Sequence, residues 1–521
     1  MISASGNSDD RSVQLSTPLR QSAYVAGNIA VLVFLGMSVA LFSPANPRFL
    51  YVVLLWALCS SPILWLERLN GPYFLLMTYA IVYFVFFGLS DFMSILTGGT
   101  PSGEQSILTS AECVILASIL CVIAAYRLVA GRARVNAATA PPRDWPYSAI
   151  LGIGMLFWVA GTLSLAYWQI YIVTDRTNIS LIKNLNMLGP ALTTVFMLGQ
   201  LVQPLGILVL AYAYAAYRRG YLLPLIIGVV LVQVVLGFVA DFKGEAMSAG
   251  IVVIITKVYV DGKVPKGWLV GAALFVVFVF PVFQAYRLNV RGEHGVTSLQ
   301  TVQNLFDTVK KSVDAVARVK SGLGGADYRV QSFWERASLK ASVDLIVAKT
   351  GNGIPFQSGA TLVPLAAAFV PKILWPDKPS VAVGQVFNQA FHIGEVADTY
   401  ISPSHVGEIY WNFGWLGTVL LMPLIGVLLG AIGARRSASP YLSLTGLLVT
   451  LVTIRQLVIN SESSIATEYV VWLRSMAAIW MLHLLIARAA VVPDIRRRNA
   501  QAPKVEPGPG AGAARFPHLL G

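Results

Sequence analysis

Charge is what this chain has least of. Only 12% of its 521 residues are Asp, Glu, Lys or Arg, about half the share usual in soluble domains. Set against 56% hydrophobic residues, so few charges would leave a water-exposed fold with large apolar patches. That excludes an ordinary soluble enzyme, a disordered chain and a nucleic-acid-binding protein. Cysteine is scarce as well. Cys59, Cys113 and Cys121 all lie in apolar runs, where a thiol usually serves as a small buried hydrophobe. They build neither a disulfide scaffold nor a metal-ligand set. The first twenty residues are polar and the first apolar run, from Tyr24, is long enough to span, so no cleavable leader is expected.

What is present is apolar sequence in long stretches. A bilayer core needs about 20 apolar residues per helix. Twelve runs qualify, near 24–42, 49–66, 73–90, 107–127, 147–168, 190–216, 221–240, 246–260, 267–285, 410–433, 440–459 and 466–487. Arg and Lys alternate between their connecting loops. Arg68, the group Arg127, Arg132, Arg134 and Arg143, then Arg218 and Arg219, Lys263 and Lys266, and Arg435 and Arg436 fill the even loops. The odd loops are poorer, so the positive-inside rule puts both termini in the cytoplasm. The +13 net charge is then largely a matter of topology.

The expected fold is an all-α polytopic membrane protein of about 12 transmembrane helices with one large, partly helical periplasmic loop. Its parts are a cytoplasmic segment 1–23, nine spans over 24–285, the periplasmic loop 286–409, three spans over 410–488, and a disordered cytoplasmic tail 489–521. The expected site is a multi-pass protein of a bacterial inner membrane, with its chemistry on the periplasmic face.

The loop is nearly balanced in charge, with twelve Lys or Arg against ten Asp or Glu over 286–409. Val302, Leu305, Phe306, Val309, Val313 and Val316 recur at helical spacing, with Lys310, Lys311, Asp314 and Arg318 opposite. A second helix is expected over 331–349, with Phe333, Leu339, Val343 and Ile346 inward. The bland reading of both is a small cap packed on the bundle. Residues 351–360 read as loop. Residues 361–379 are apolar but broken by Pro364 and Pro371, which suits a re-entrant or interfacial helix. There Trp375, Lys372 and Lys378 stand where headgroups lie, and plain anchoring would explain them equally well.

Just before the tenth run come His405 and Glu408, three residues apart, and then Asn412. On a helix the first two share a face. His and Glu at a membrane boundary suit a general base or a group that orients a hydroxyl. The bland alternative is a helix start, with Ser402 or Ser404 as cap and Glu408 favoured by the dipole. Arg455 and Arg474 lie deep in the last runs, where an ionisable group usually lines a cavity or pairs with another, here Glu462 or Glu468.

Two elements carry a resemblance. Pro371-Lys372, Trp375-Pro376-Asp377-Lys378-Pro379 and then Ser404-His405, Gly407-Glu408, Tyr410, Asn412-Phe413-Gly414 and Gly417 resemble the oligosaccharide repeat-unit polymerases, the Wzy-type O-antigen and exopolysaccharide polymerases. The likeness in motif covers roughly 350–420; elsewhere it is one of hydropathy. It implies a GT-C-like, metal-independent membrane glycosyltransferase that needs no cofactor. Its substrates would be undecaprenyl-diphosphate-linked oligosaccharides, joined at the periplasmic face. A chain-length regulator and a flippase would be partners, and no nucleic acid. A lipid-linked oligosaccharide flippase and a glycan ligase of the O-antigen ligase type are the rival readings.

Such chemistry needs cations for a departing lipid diphosphate and a base for the acceptor hydroxyl. Arg grips phosphate through its fork, and Lys as a point charge. Arg287 and Arg291, four apart, Lys243 in a short outward loop, and Lys372 and Lys378 are the candidates, standing in for a metal electrostatically. Arg287 alone would also suit a snorkelling helix end. Glu408 and His405 are the candidate catalytic residues. Trp375, Asp377, Tyr410, Asn412 and Arg455 are the candidate substrate contacts.

Overall fold

The computed structural model describes residues 48–66, 71–96, 108–131, 146–167, 189–217, 219–240, 243–283, 285–286, 304–320, 337–367, 370, 374–375, 383–393, 401–437 and 444–501. Most of these residues are helical, with no strand among them and one isolated bridge between Thr350 and Ile354. The helices are α1 (Arg48–Ser60), α2 (Phe74–Phe87), α3 (Leu89–Leu96), α4 (Ser110–Ala130), α5 (Tyr147–Tyr167), α6 (Gly189–Tyr217), α7 (Leu222–Ala240), α8 (Lys243–Asp261) and α9 (Lys266–Leu274). They continue with α10 (Leu305–Lys320), α11 (Lys340–Lys349), α12 (Val363–Ala367), α13 (Val383–Phe391), α14 (Ser404–Ser437), α15 (Leu444–Thr453) and α16 (Ile465–Gln501).

Helix is the only way a lone segment satisfies its backbone where water is absent. Seven helical stretches among the described residues are long and apolar enough to cross a membrane: Ser110–Ala130, Tyr147–Tyr167, Leu222–Val239, Lys266–Phe283, Ser404–Arg435, Leu444–Glu462 and Ile465–Leu484. The pair α2 and α3, bent by 54°, makes an eighth if it is one broken span. The runs at 49–66 and 190–216 carry shorter apolar helices, Phe49–Trp65 and Leu201–Tyr217. The 246–260 run lies inside α8, which is not among those seven. The run at 24–42 lies outside the described residues.

Two helix pairs hold the bundle through small residues, which let backbones approach where no hydrophobic force drives association. On α14, Gly426 and Gly430 press on the backbone of Val122 and Tyr126 in α4. A Cβ on Gly430 would sit 3.0 Å from the Tyr126 carbonyl oxygen. Likewise Gly154 and Gly161 of α5 meet Leu210 and Gln203 of α6, while Gly206 of α6 meets the Trp158 backbone. The large buried aromatics, Tyr51, Tyr79, Tyr126, Tyr259 and Trp411 among them, lie in one continuous core around these contacts.

Several helices are interrupted. At Gly88 α2 turns into α3. At Gly414 the backbone leaves helical geometry altogether, with φ 58° and ψ −143°, a region open in practice to glycine alone. Past Thr453, α15 widens into a π turn over Ile454–Val458 and tightens into a 3₁₀ turn over Ile459–Glu462. These breaks lie at one end of the bundle. The opposite end carries cations over aromatic rings: Arg127 over Trp65 at 4.4 Å, Arg219 over Tyr147 at 4.1 Å and Lys257 over Tyr214 at 4.8 Å.

The amphipathic stretch near 302–316 forms α10, but with a different inner face. Leu305 and Val309 pack against Phe238, Phe283 and Tyr286. Phe306 is 90% exposed and Val313 is exposed too, because Thr308 and Ser312 share the packed face. Both hydroxyls bond back to carbonyls four residues earlier, which eases their burial. The second loop helix begins only at Lys340, and Val343 and Ile346 are buried as expected. Phe333 and the Gly-rich 321–325 lie outside the described residues.

Gly430→Leu should lower the melting temperature of the purified protein, since overpacking costs about 1–3 kcal/mol. Gly228→Leu in α7, where an added Cβ meets nothing within 4 Å, should leave it unchanged. A thermal scan of the two variants in the same detergent checks this, and equal melting would refute the packing assignment.

Candidate functional site

The site is built where the segment 337–367 meets the breaks in α2/α3 and α14. The carbonyls that a broken helix frees need donors. At Gly88 the carbonyl of Phe86 accepts from the Leu339 N–H at 2.9 Å and that of Phe87 from the Tyr51 hydroxyl at 2.7 Å. At Gly414 the carbonyls of Trp411 and Asn412 accept from the N–H groups of Gln357 at 3.0 Å and Ser358 at 3.1 Å. One loop segment therefore caps both interruptions.

Helix α14 starts at Ser404, held at φ 64°, whose hydroxyl oxygen accepts from the Gly407 N–H at 3.3 Å. His405, Glu408 and Asn412 follow at spacings of three and four. They share one face, and all three are buried. Gly407 lets α11 come close, since a Cβ would sit 2.6 Å from Ile346 Cδ1 and displace the end of that side chain.

Both Glu408 oxygens are engaged. Oε1 accepts from the Thr361 hydroxyl at 2.8 Å, and Oε2 from the Ile465 N–H at 2.7 Å. Ile465 opens α16, so the carboxylate sits at the positive end of that helix dipole. Asn412 donates through Nδ2 to Thr361 Oγ1 at 2.7 Å and to the Glu408 carbonyl at 2.8 Å. Its Oδ1 accepts from the Gly359 N–H at 2.9 Å. Among the described residues, neither ring nitrogen of the buried His405 has a hydrogen-bond partner, and its ring stands 5.8 Å from that of Tyr469, whose hydroxyl likewise has none. Buried polar atoms so placed need an explanation.

A second cluster adjoins the first through α16. Asn460 Nδ2 donates to Gln456 Oε1 and to Glu468 Oε2, each at 3.0 Å. Arg455 and Glu462 both act electrostatically on Glu468. The π turn brings Arg455 and Gln456 here, a frequent use of such turns at functional positions. Ser402 donates to the Glu462 carbonyl.

The third cluster was not foreseen. Lys340 Nζ lies 2.8 Å from Asp91 Oδ2 and 2.6 Å from Glu112 Oε1, with the Tyr51 ring 4.6 Å away. Glu112 also closes a capping box with Thr109 at the start of α4. Burial disfavours the Lys340 ammonium, but the Asp91 and Glu112 carboxylates outweigh it, and its pKa rises above the ordinary value of 10.5.

The expected site residues are thus partly united. Glu408, His405 and Asn412 converge, with Arg455 near Glu468. Tyr410 is buried on another side of α14, its ring 6.4 Å from that of Trp415. Trp375 is 42% exposed, as an interfacial ring would be. Lys243 opens α8, and nothing further is described of its side chain. Arg287, Arg291, Lys372, Asp377 and Lys378 lie outside the described residues. Sequence reasoning missed Thr361, Gly359, Tyr469, Asn460 and Lys340. Asp91, a lone acid in the apolar stretch 73–96, was the one signal that a cation must come to it. A small pocket lined by Gly71, Phe74, Tyr259, Gly433 and Thr450 lies at the opposite end and shares no residue with this site.

Compared with protein-family models, with curated proteins and with solved structures, the chain finds no match.

Lys340→Met should destabilise the protein by about 3–5 kcal/mol, the cost of stripping a buried pair of one partner. Because folding raises the lysine pKa, the stability it supplies is complete below pH 10.5 and is lost as pH rises through the higher folded value. Melting curves of wild type and variant should therefore differ at neutral pH and converge only in stronger alkali. A gap that closes between pH 6 and about 9, below the lysine range, would refute the assignment.

Proposed function

We propose that the chain is a membrane glycosyltransferase that polymerises undecaprenyl-diphosphate-linked oligosaccharide repeat units at the periplasmic face of a bacterial inner membrane, into O-antigen or exopolysaccharide. In this reading the chain crosses the membrane twelve times with both termini cytoplasmic, and 286–409 faces the periplasm. The cations stacked on rings at one end of the bundle, Arg127, Arg219 and Lys257, support that orientation through the positive-inside rule.

The observation that carries the proposal is the meeting of two distant segments, 359–361 and 404–412, around a single buried carboxylate. These segments belong to the same 350–420 stretch that resembles the polymerases. Here the acceptor sugar hydroxyl gives its proton to Glu408, with His405 beside it as the second candidate, and its oxygen attacks the anomeric carbon of the growing chain. The bond from that carbon to the lipid diphosphate breaks, and the diphosphate leaves with the bonding electron pair. Lys372, Lys378, Arg287, Arg291 and Lys243 are the proposed cations for the departing charge. A general base of this kind contributes about 10²–10⁴-fold to rate.

Replacing Glu408 by Gln in the chromosomal copy tests this. The expected result is single, unpolymerised repeat units with the variant still present in the membrane. Normal polymer would sink the proposal. In a deletion strain, long unattached polymer would instead mark a ligase, and units stranded in the cytoplasmic leaflet a flippase. Loss of the variant protein itself would show that Glu408 serves α16 as a cap, and Glu408→Asp, which keeps the charge, then carries the test.

A further inference from the structure

We propose that Thr361 is the positioning residue for the Glu408 carboxylate, and that it fixes the direction in which an incoming sugar hydroxyl must bond. The inference rests on the reading of Glu408 as the group that receives the acceptor hydroxyl.

The argument is a proton count. A threonine hydroxyl has one proton and two lone pairs. Asn412 Nδ2 approaches Thr361 Oγ1 at 2.7 Å and, being an N–H₂ group, can only donate. The Thr361 proton is therefore left for Glu408 Oε1, 2.8 Å away. The Asn412 amide cannot turn over without loss. Its Oδ1 accepts from Gly359 N–H at 2.9 Å, and its Nδ2 also donates to the Glu408 carbonyl at 2.8 Å. A flipped amide would set N–H against N–H at the first contact and oxygen against oxygen at the second. The chain of bonds thus runs one way, from the Gly359 backbone through Asn412 and Thr361 to the carboxylate. Gly359 aims its N–H from φ 91°, a conformation that side chains resist.

On the far side the Ile465 N–H holds Oε2. A carboxylate offers about four acceptor sites, so two remain. In the ionised form that acts as a base it offers no proton, and the Thr361 hydroxyl and the Ile465 N–H spend theirs on it. A sugar hydroxyl that reaches Glu408 must therefore be the donor, the polarity that readies its oxygen for attack. Holding the carboxylate from two sides supplies the orientation that such a transfer requires.

The test uses the full-length protein in proteoliposomes, with lipid-linked repeat unit purified from a polymerase-deletion strain as the probe. Thr361→Val keeps the shape and removes the hydroxyl. Its kcat should fall roughly 10- to 100-fold, as for a misplaced catalytic group, with KM within a factor of about two of wild type. Thr361→Ser should restore most of the rate. Asn412→Asp turns the Nδ2 donor into a second acceptor that competes for the Thr361 proton, and its kcat should fall as in Thr361→Val. Wild-type kcat in Thr361→Val would overturn the proposal, as would a Thr361→Ser variant no better than the valine. Should Thr361→Val fail to fold, Thr361→Ser and Asn412→Asp decide alone: the serine active and the aspartate slow supports it, and equal rates overturn it. The two readings part at Glu408→Gln. If that variant is inactive while Thr361→Val is normal, only the role of Thr361 falls; if it polymerises normally, the reading of Glu408 falls with it.

Discussion

A carbonyl freed inside a helical bundle has no water to turn to, and this structure is arranged around two such places. The helix breaks at Gly88 and Gly414 each strand carbonyl oxygens. Leu339, Gln357 and Ser358 return backbone donors to them. An unmet buried group costs about 1–3 kcal/mol, so the segment 337–359 is bound to the bundle by the same hydrogen bonds that make helices stable. It is less an appended cap than a missing stretch of helix hydrogen bonding, supplied from elsewhere in the chain.

The same segment brings the charges that the bundle lacks. Lys340 arrives at α2/α3 and α4, where Asp91 and Glu112 wait. Seventeen residues on, the loop meets α14 at Gln357, and Thr361 then meets Glu408. The scarcity of charge seen in the composition is thus a concentration of charge. Few ionisable groups are spent, and the buried ones at this end gather in three adjoining clusters. Each cluster ties a different set of elements: α11 with α3 and α4, α14 with α16, and the turns after α15 with α16.

How much of this could be read from sequence depends on distance along the chain. The apolar runs are local, and helices lie over each of those from 49–66 onward. The common face of His405, Glu408 and Asn412 is local as well, since it follows from 3.6 residues per turn. Thr361 is different. Its partners are 47 and 51 residues away, and nothing near Thr361 announces them. Lys340 meets Asp91 across 249 residues, where only the oddity of an acid in apolar sequence gave a hint. Phe306 misled because periodicity selects a helix without choosing its face: Thr308 and Ser312 each bond a carbonyl one turn earlier in α10, which let them lie inside.

The Ile465 N–H on Glu408 has a consequence in time. The two residues are 57 apart, with α15 between them, and a chain emerges from the ribosome in order. When Glu408 and its loop partners have already been made, the donor that completes them has not. Until α16 begins, the Thr361 hydroxyl holds the carboxylate from one side only. Helix α16 is therefore the keystone of this cluster: synthesis that stalls after α15 leaves the buried carboxylate without its second backbone strut.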